Sequence, residues 1–176
     1  MDKSKRNLLL MAGAAVLVVA VIIGIAVSSV TGRGSEKNTL EQYYRGMYVE
    51  GGGGIPAVVD CIMPAAQEAY YNQITDGGTN FMQLGTWYAE AQSLVGANVQ
   101  AEVEMYGQTD DNASQLSQVR AEYGSDVEAY HVVSFKLTLT GSVATEELYG
   151  VMPMLRMNGK WYLMSVDADF HRSADE

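Results

Sequence analysis

The amino-acid sequence predicts an α+β domain on an N-terminal membrane anchor. Three observations lead to this fold class. An uncharged apolar run occupies residues 8–27, and apolar residues then recur at helical spacing as far as residue 95. From residue 98 onwards, apolar and polar residues alternate as they do in half-buried strands. Helices followed by consecutive antiparallel strands are typical of the α+β class.

The apolar run is long enough to span a membrane. Its twenty residues would form a helix of about 30 Å, the thickness of the hydrocarbon core of a bilayer. Lys3, Lys5 and Arg6 precede the run, so we expect a single-pass protein of the cell membrane with a cytoplasmic N-terminus and its domain outside. The alternative is a cleaved signal peptide with its cleavage site at residues 26–28, although the apolar region of such peptides usually has only about 7–15 residues.

The predicted organisation has five parts. They are a short cytoplasmic tail (1–7), the transmembrane anchor (8–28), a linker (29–38), an extracytoplasmic domain (39–171) and a C-terminal tail (172–176). The linker is assigned because the segment VTGRGSEKN is polar and rich in glycine and serine.

Three helices are predicted in the first half of the domain. The first covers residues 39–49, and the second covers residues 56–74. Pro64 interrupts the second helix, and because proline lacks a backbone N–H we expect a kink or a restart there. The third helix begins at about residue 79.

Four strands and one short surface helix are predicted in the second half. The strands cover residues 99–106, 129–140, 147–157 and 160–170, and the helix covers residues 113–123. Asn158-Gly159 predicts a type I′ hairpin turn between the last two strands, because both central positions of that turn need positive φ. In strand 129–140 the alternation places His131 on the apolar face with Val133 and Phe135.

Three N-terminal helices, a strand and a final hairpin through NGKWYL (residues 158–163) resemble the NTF2-like (cystatin-like α+β) superfamily. The segment is similar to the last hairpin of many small extracytoplasmic bacterial proteins of this type. The resemblance covers residues 39–170 and implies a strongly curved antiparallel sheet that wraps the helices into a cone with an apolar pocket. Enzymes, ligand carriers and assembly domains share this fold, so the resemblance selects no activity.

His131 is the candidate for chemistry that this resemblance suggests. Enzymes similar to ketosteroid isomerase or scytalone dehydratase place acid–base groups inside the cone, and the predicted pocket residues here are Tyr70, Trp87, Tyr88 and His131. His131 would act as the base, with Tyr70 or Tyr88 as a hydrogen-bond donor. The alternative is a structural histidine near the rim of the sheet that makes a hydrogen bond. No catalytic motif is present, so no catalytic residue is assigned.

The remaining metal-binding and nucleophilic side chains predict no further site. Cys61 is the single cysteine, which excludes an intrachain disulfide, and its apolar neighbours indicate a buried, inert thiol. Asp167, Asp169 and His171 share one side of the last predicted strand, but such residues lie about 7 Å apart and spread too far for one ion. We therefore expect no metal and no cofactor.

The charge of the chain bears on its partners. The net charge is −10, which argues against nucleic acid, because phosphate binding needs clustered lysine and arginine. The sequence favours a non-catalytic binding or scaffold domain at the cell envelope, with a protein partner or a second copy of itself. Scaffold subunits of type IV secretion machines share this single-span architecture. The alternatives are a cavity enzyme and a carrier of a small hydrophobic ligand.

Overall fold

The computed structural model describes most of the chain beyond the predicted anchor. The described residues are 34–50, 54–75, 79–109, 112–166 and 168–171. The predicted tails (1–7 and 172–176) and anchor (8–28) lie outside them. Among the described helices, none is both long and apolar enough to cross a membrane.

The described residues form an α+β structure in which helices pack on an antiparallel sheet, which confirms the predicted class. The helices are α1 (Gly34–Tyr48), α2 (Ile55–Asp60), α3 (Pro64–Thr75), α4 (Thr79–Val95) and α5 (Ala113–Tyr123). The strands are β1 (Gln100–Gln108), β2 (Val127–Thr140), β3 (Thr145–Met157), β4 (Lys160–Leu163) and β5 (Asp169–His171). The strand order is β1-β2-β3-β4, and β5 also pairs with β3.

Helix α1 begins earlier than the sequence predicted. It starts at Gly34 rather than at residue 39, so the last part of the predicted linker is helical. The side chain of Glu36 stabilises this first turn, because a carboxylate at a helix N-terminus interacts favourably with the helix dipole. Lys37 and Glu41 add an ion pair one turn apart on the exposed side.

The inner face of the sheet packs against α1. The apolar stripe of this helix is buried and consists of Leu40, Tyr43, Tyr44 and Met47. These side chains join Val133 and Phe135 of β2 in the main core cluster, to which α2, α3 and α4 also contribute. The centre of the inner face is therefore filled by side chains of α1.

Pro64 separates α2 from α3, as predicted. The chain leaves α2 at Asp60 and makes a turn, and α3 starts at the proline. The connecting segment lies along the outer edge of β4. There the Leu163 N–H donates to the Cys61 carbonyl (2.8 Å), and the Met63 N–H donates to the Leu163 carbonyl (3.0 Å). Cys61–Met63 thus covers the backbone edge of β4.

The predicted single strand over residues 160–170 is wrong. It is divided into β4, which pairs with residues 154–157 of β3, and β5, which pairs with residues 149–151 of β3. Pro153 of β3 lies at the break, where its carbonyl accepts from the Met164 N–H (3.0 Å). Proline has no N–H to return that bond, so the ladder ends. The intervening segment is held instead by the Tyr43 hydroxyl, which donates to the Val166 carbonyl.

The turn between β3 and β4 follows its local sequence. Asn158 and Gly159 have φ values of 52° and 77°, which agrees with the predicted type I′ turn.

The outer face of the sheet is covered at this end by α5, whose Val119 packs with Tyr130 and Leu155. Towards the other end the outer face carries polar and charged side chains.

Candidate functional site

A buried pair of ionisable side chains, Glu36 and His131, lies between α1 and the sheet. His131 Nδ1 is 2.6 Å from Glu36 Oε1. The two residues are 1% and 0% exposed, respectively. The Trp161 ring lies beside the imidazole, with ring centroids 4.7 Å apart and planes tilted by 31°. The pair is thus a polar contact enclosed by the apolar core.

Backbone contacts fix the elements that carry this pair. The Thr39 hydroxyl of α1 donates to the Trp161 carbonyl of β4 (3.3 Å). The Cys61 thiol donates to the Thr39 carbonyl (3.4 Å). The first turns of α1 are therefore attached both to β4 and to the segment that covers the edge of β4.

Nδ1 is the imidazole nitrogen that faces the carboxyl group of Glu36. Nδ1 and Oε1 share one proton across 2.6 Å, and the protonation states of the two groups decide which atom donates. Glu36 Oε2 is buried and has no hydrogen-bond partner among the described residues. Burial of the Glu36 carboxyl group without a hydrogen bond would be strongly unfavourable. Among the described contacts, His131 supplies that hydrogen bond.

His131 occupies the predicted face of β2, where Glu36 of α1 and Trp161 of β4 enclose it. Its partner Glu36 was missed, since the sequence placed it in the linker. A usable signal was present. Glu36 lies one turn before Leu40 and two turns before Tyr43, on the same helical stripe. Extending that stripe towards the N-terminus would have placed a carboxylate on the buried face.

The other predicted pocket residues lie on α3 and α4. Tyr70 is buried in the main core cluster, and the half-buried Trp87 packs against that cluster. The Tyr88 hydroxyl accepts from Gln92 Nε2 of the same helix (2.9 Å). The contacts described for His131 run instead to Glu36 and Trp161, neither of which was among the predicted pocket residues.

Cys61 is buried, as expected, and its environment disfavours the thiolate. The pKa of the thiol is raised from 9.0 to about 12, mainly by burial and to a smaller extent by the neighbouring Asp60 carboxylate, while Lys160 acts to lower it. A thiol in this state is a poor nucleophile.

Asp167, Asp169 and His171 were considered as metal ligands in the sequence. Asp167 is outside the described residues, as are the side chains of Asp169 and His171. In the part of the chain that the structure describes, no three His, Cys, Asp or Glu side chains are grouped closely enough to hold a metal ion.

The uncovered part of the outer face carries a second charged cluster. Lys136 Nζ of β2 lies 3.1 Å from Glu104 Oε2 of β1 and 3.2 Å from Glu147 Oε1 of β3. Hydrogen bonds to these two carboxylates raise the pKa of Lys136. Beside them, the rings of Tyr106 and Tyr149 meet edge to face with centroids 6.1 Å apart.

Comparisons of the chain with protein-family models, with curated proteins and with solved structures found no match.

Proposed function

We propose that this chain is a membrane-anchored, extracytoplasmic binding or scaffold domain of the NTF2-like type, without catalytic activity, that acts in an assembly of the cell envelope. The anchor is residues 8–28, and the partner is another protein or a second copy of the chain. The apolar run and the basic residues before it support the anchor and the orientation.

The observation that carries the proposal is the burial of His131 behind α1. A general base must come within hydrogen-bond reach of the proton that it removes from a substrate. His131 is 1% exposed, and its Nδ1 is already bound to Glu36. In addition, Tyr43 and Tyr44 of α1 fill the inner face of the sheet, where a cavity enzyme of this superfamily would hold its substrate. These contacts support a structural role for the histidine.

One observation favours a second candidate, an acid–base enzyme. A carboxylate that accepts from Nδ1 is also the arrangement that orients a catalytic imidazole. In such an enzyme, α1 would have to move away from the sheet for a substrate to reach His131. The two candidates differ in what a substitution of His131 does to cells.

The anchor is tested on the full chain expressed in a bacterium. We expect the protein to stay in the membrane fraction after an alkaline carbonate wash, to retain residues 8–28 in its mature mass, and to be digested by protease added to spheroplasts. A variant that lacks residues 8–28 is the control for membrane retention. A mature N-terminus near Ser28 together with release into the soluble fraction would contradict the anchor.

The binding role is tested against the enzyme role with His131→Gln. If the domain only binds, any cellular phenotype of this variant should follow its loss of thermal stability and should be rescued at lower temperature. Site-specific photo-cross-linking in cells should also trap a discrete partner or a second copy. A variant that keeps its melting temperature but loses the phenotype of the intact gene would support the enzyme instead.

A further inference from the structure

The two outer edges of the sheet differ in how they are covered. The edge of β4 is covered by the Cys61–Met63 segment through two backbone hydrogen bonds. Strand β1, at the other end of the sheet, pairs with β2 on one side, and no strand among the described residues pairs with its other side. Among the described residues, the backbone N–H and C=O groups on that side of β1 therefore have no strand as a partner.

Strand β1 carries two glutamates and a bulge but lacks other features that usually block an exposed edge. It spans nine residues, and its sequence QAEVEMYGQ contains no proline and no lysine. A bulge at Tyr106 interrupts the register only near the end of the strand. The strand is attached to the core through Val103, which is buried. An exposed, extended edge is the template that strand addition requires.

The charge of the exposed side chains of β1 indicates which side chains an added strand would carry. Glu102 and Glu104 lie on the outer face of β1 and are exposed. Lys136, the neighbouring cation, is already shared between Glu104 and Glu147. The two β1 glutamates are about 7 Å apart, the spacing of alternate residues in an added strand. Lysine or arginine at alternate positions of that strand would lie opposite them.

We propose that the outer edge of β1 binds an extended segment of a partner protein that carries lysine or arginine at alternate positions, and that this segment adds to the sheet beside β1. A second copy of the chain fits this edge poorly. Parallel in-register pairing of two β1 strands, or antiparallel pairing centred on Val103, would place glutamates opposite glutamates, which is destabilising, and each chain carries a net charge of −10. The inference rests on the proposed function, since it names the partner class of that binding domain.

The test uses the full chain in detergent micelles and a labelled nine-residue peptide of alternating threonine and lysine, which matches β1 in length. A peptide of alternating threonine and glutamate, and one with the lysines in a single block, are the peptide controls. We expect the alternating lysine peptide alone to bind in a titration and to slow hydrogen exchange in residues 100–108.

Charge-reversal variants locate the binding surface. E102K/E104K should weaken binding of the alternating lysine peptide about tenfold, since two attractive cross-strand pairs become repulsive. E68K/E90K makes the same change of net charge at exposed positions on α3 and α4, and it should leave the affinity within about twofold of the original.

Three results would overturn the inference: no binding of the alternating lysine peptide, equal binding of the block peptide, or equal weakening by both double variants. None of them touches the proposed function, which fails separately if the mature chain is released from the membrane or if no partner is cross-linked. A domain that is anchored and cross-linked but does not bind the peptide uses another surface.

Discussion

At the scale of single residues, the buried Glu36–His131 pair should dominate the response to substitution. His131→Leu would leave the Glu36 carboxyl group buried without its described partner, and removing one member of such a buried pair costs about 3–5 kcal/mol. The double variant Glu36→Leu/His131→Leu should be more stable than the single variant, because no unpaired carboxyl group remains in the core. Thermal and urea unfolding measure the stability of the single and the double variant. Effects that simply add would contradict the coupling.

A second prediction at this scale concerns alkaline pH. The pKa of the Cys61 thiol is 9.0 when the chain is unfolded and about 12 when it is folded. As pH rises above about 9, the unfolded state loses its proton first, so this residue makes the free energy of unfolding fall until about pH 12. Cys61→Ala should cost about 1 kcal/mol near neutral pH and lose less stability on alkalinisation than the original chain.

The comparison requires urea unfolding at about pH 8 and about pH 10.5, within the window where the two states bind different numbers of protons. Both chains contain the same tyrosines, so the difference between them isolates Cys61. We also expect iodoacetamide to alkylate Cys61 slowly in the folded protein and rapidly in urea. A pH dependence identical in both chains would exclude the thiol as its cause.

At the scale of elements, two glycines of the sheet should respond differently to a methyl group. Gly159 in the β3–β4 turn has φ +77° and no atom within 4 Å of an added Cβ, so Gly159→Ala should cost about 1–2 kcal/mol through backbone strain alone. At Gly150 of β3 the added Cβ would lie 2.8 Å from the Phe135 ring and 3.1 Å from the Phe170 ring. Gly150→Ala should therefore cost about 1–3 kcal/mol through overpacking.

A further substitution separates the two causes. Asparagine adopts positive φ more readily than alanine does, so Gly159→Asn should recover part of the stability lost in Gly159→Ala. Asparagine at position 150 should be worse than alanine, because it is larger and polar in a buried position. Urea midpoints of the four variants rank them. Equal values for alanine and asparagine at position 159 would argue against strain there.

The elements also show which parts of the fold could be predicted. The restart at Pro64 and the turn at Asn158-Gly159 depend on the residues at those positions, and both were predicted. The break between β4 and β5 depends on Pro153, which lies on the neighbouring strand. The alternation of apolar and polar residues over 160–170 does not reveal that Pro153, on the neighbouring strand, lacks the N–H that would continue the ladder. Likewise, Glu36 becomes a core residue only because His131, 95 positions away, pairs with it.

At the scale of the whole molecule, the N-terminal boundary of the domain is the feature that differs most between the prediction and the structure. The predicted domain began at residue 39 and would lack Glu36. A fragment of residues 34–171 should be more stable than one of residues 39–171 by about 3 kcal/mol or more, since the shorter one leaves His131 buried without its carboxylate. Melting followed by circular dichroism compares them.

A matched control separates the carboxylate from the lost helical turn. His131→Leu in the shorter fragment should raise its melting temperature, because a buried imidazole without its carboxylate is replaced by an apolar side chain. The same substitution should lower the melting temperature of the longer fragment. A change of the same sign in both fragments would mean that the turn itself, rather than Glu36, stabilises the domain.

The position of α1 against the sheet also sets the order of events during synthesis. Its Thr39 is bonded to Trp161, 122 positions further along the chain. At the ribosomal rate of about 5–20 residues per second, α1 waits about 6–24 s for that strand to be made. During the first part of this wait, before β2 has been made, Leu40, Tyr43, Tyr44 and Met47 lack the strand residues Val133 and Phe135 on which they pack, so the nascent chain exposes an apolar helix that chaperones can bind. The first helix of the domain is among the last to be buried.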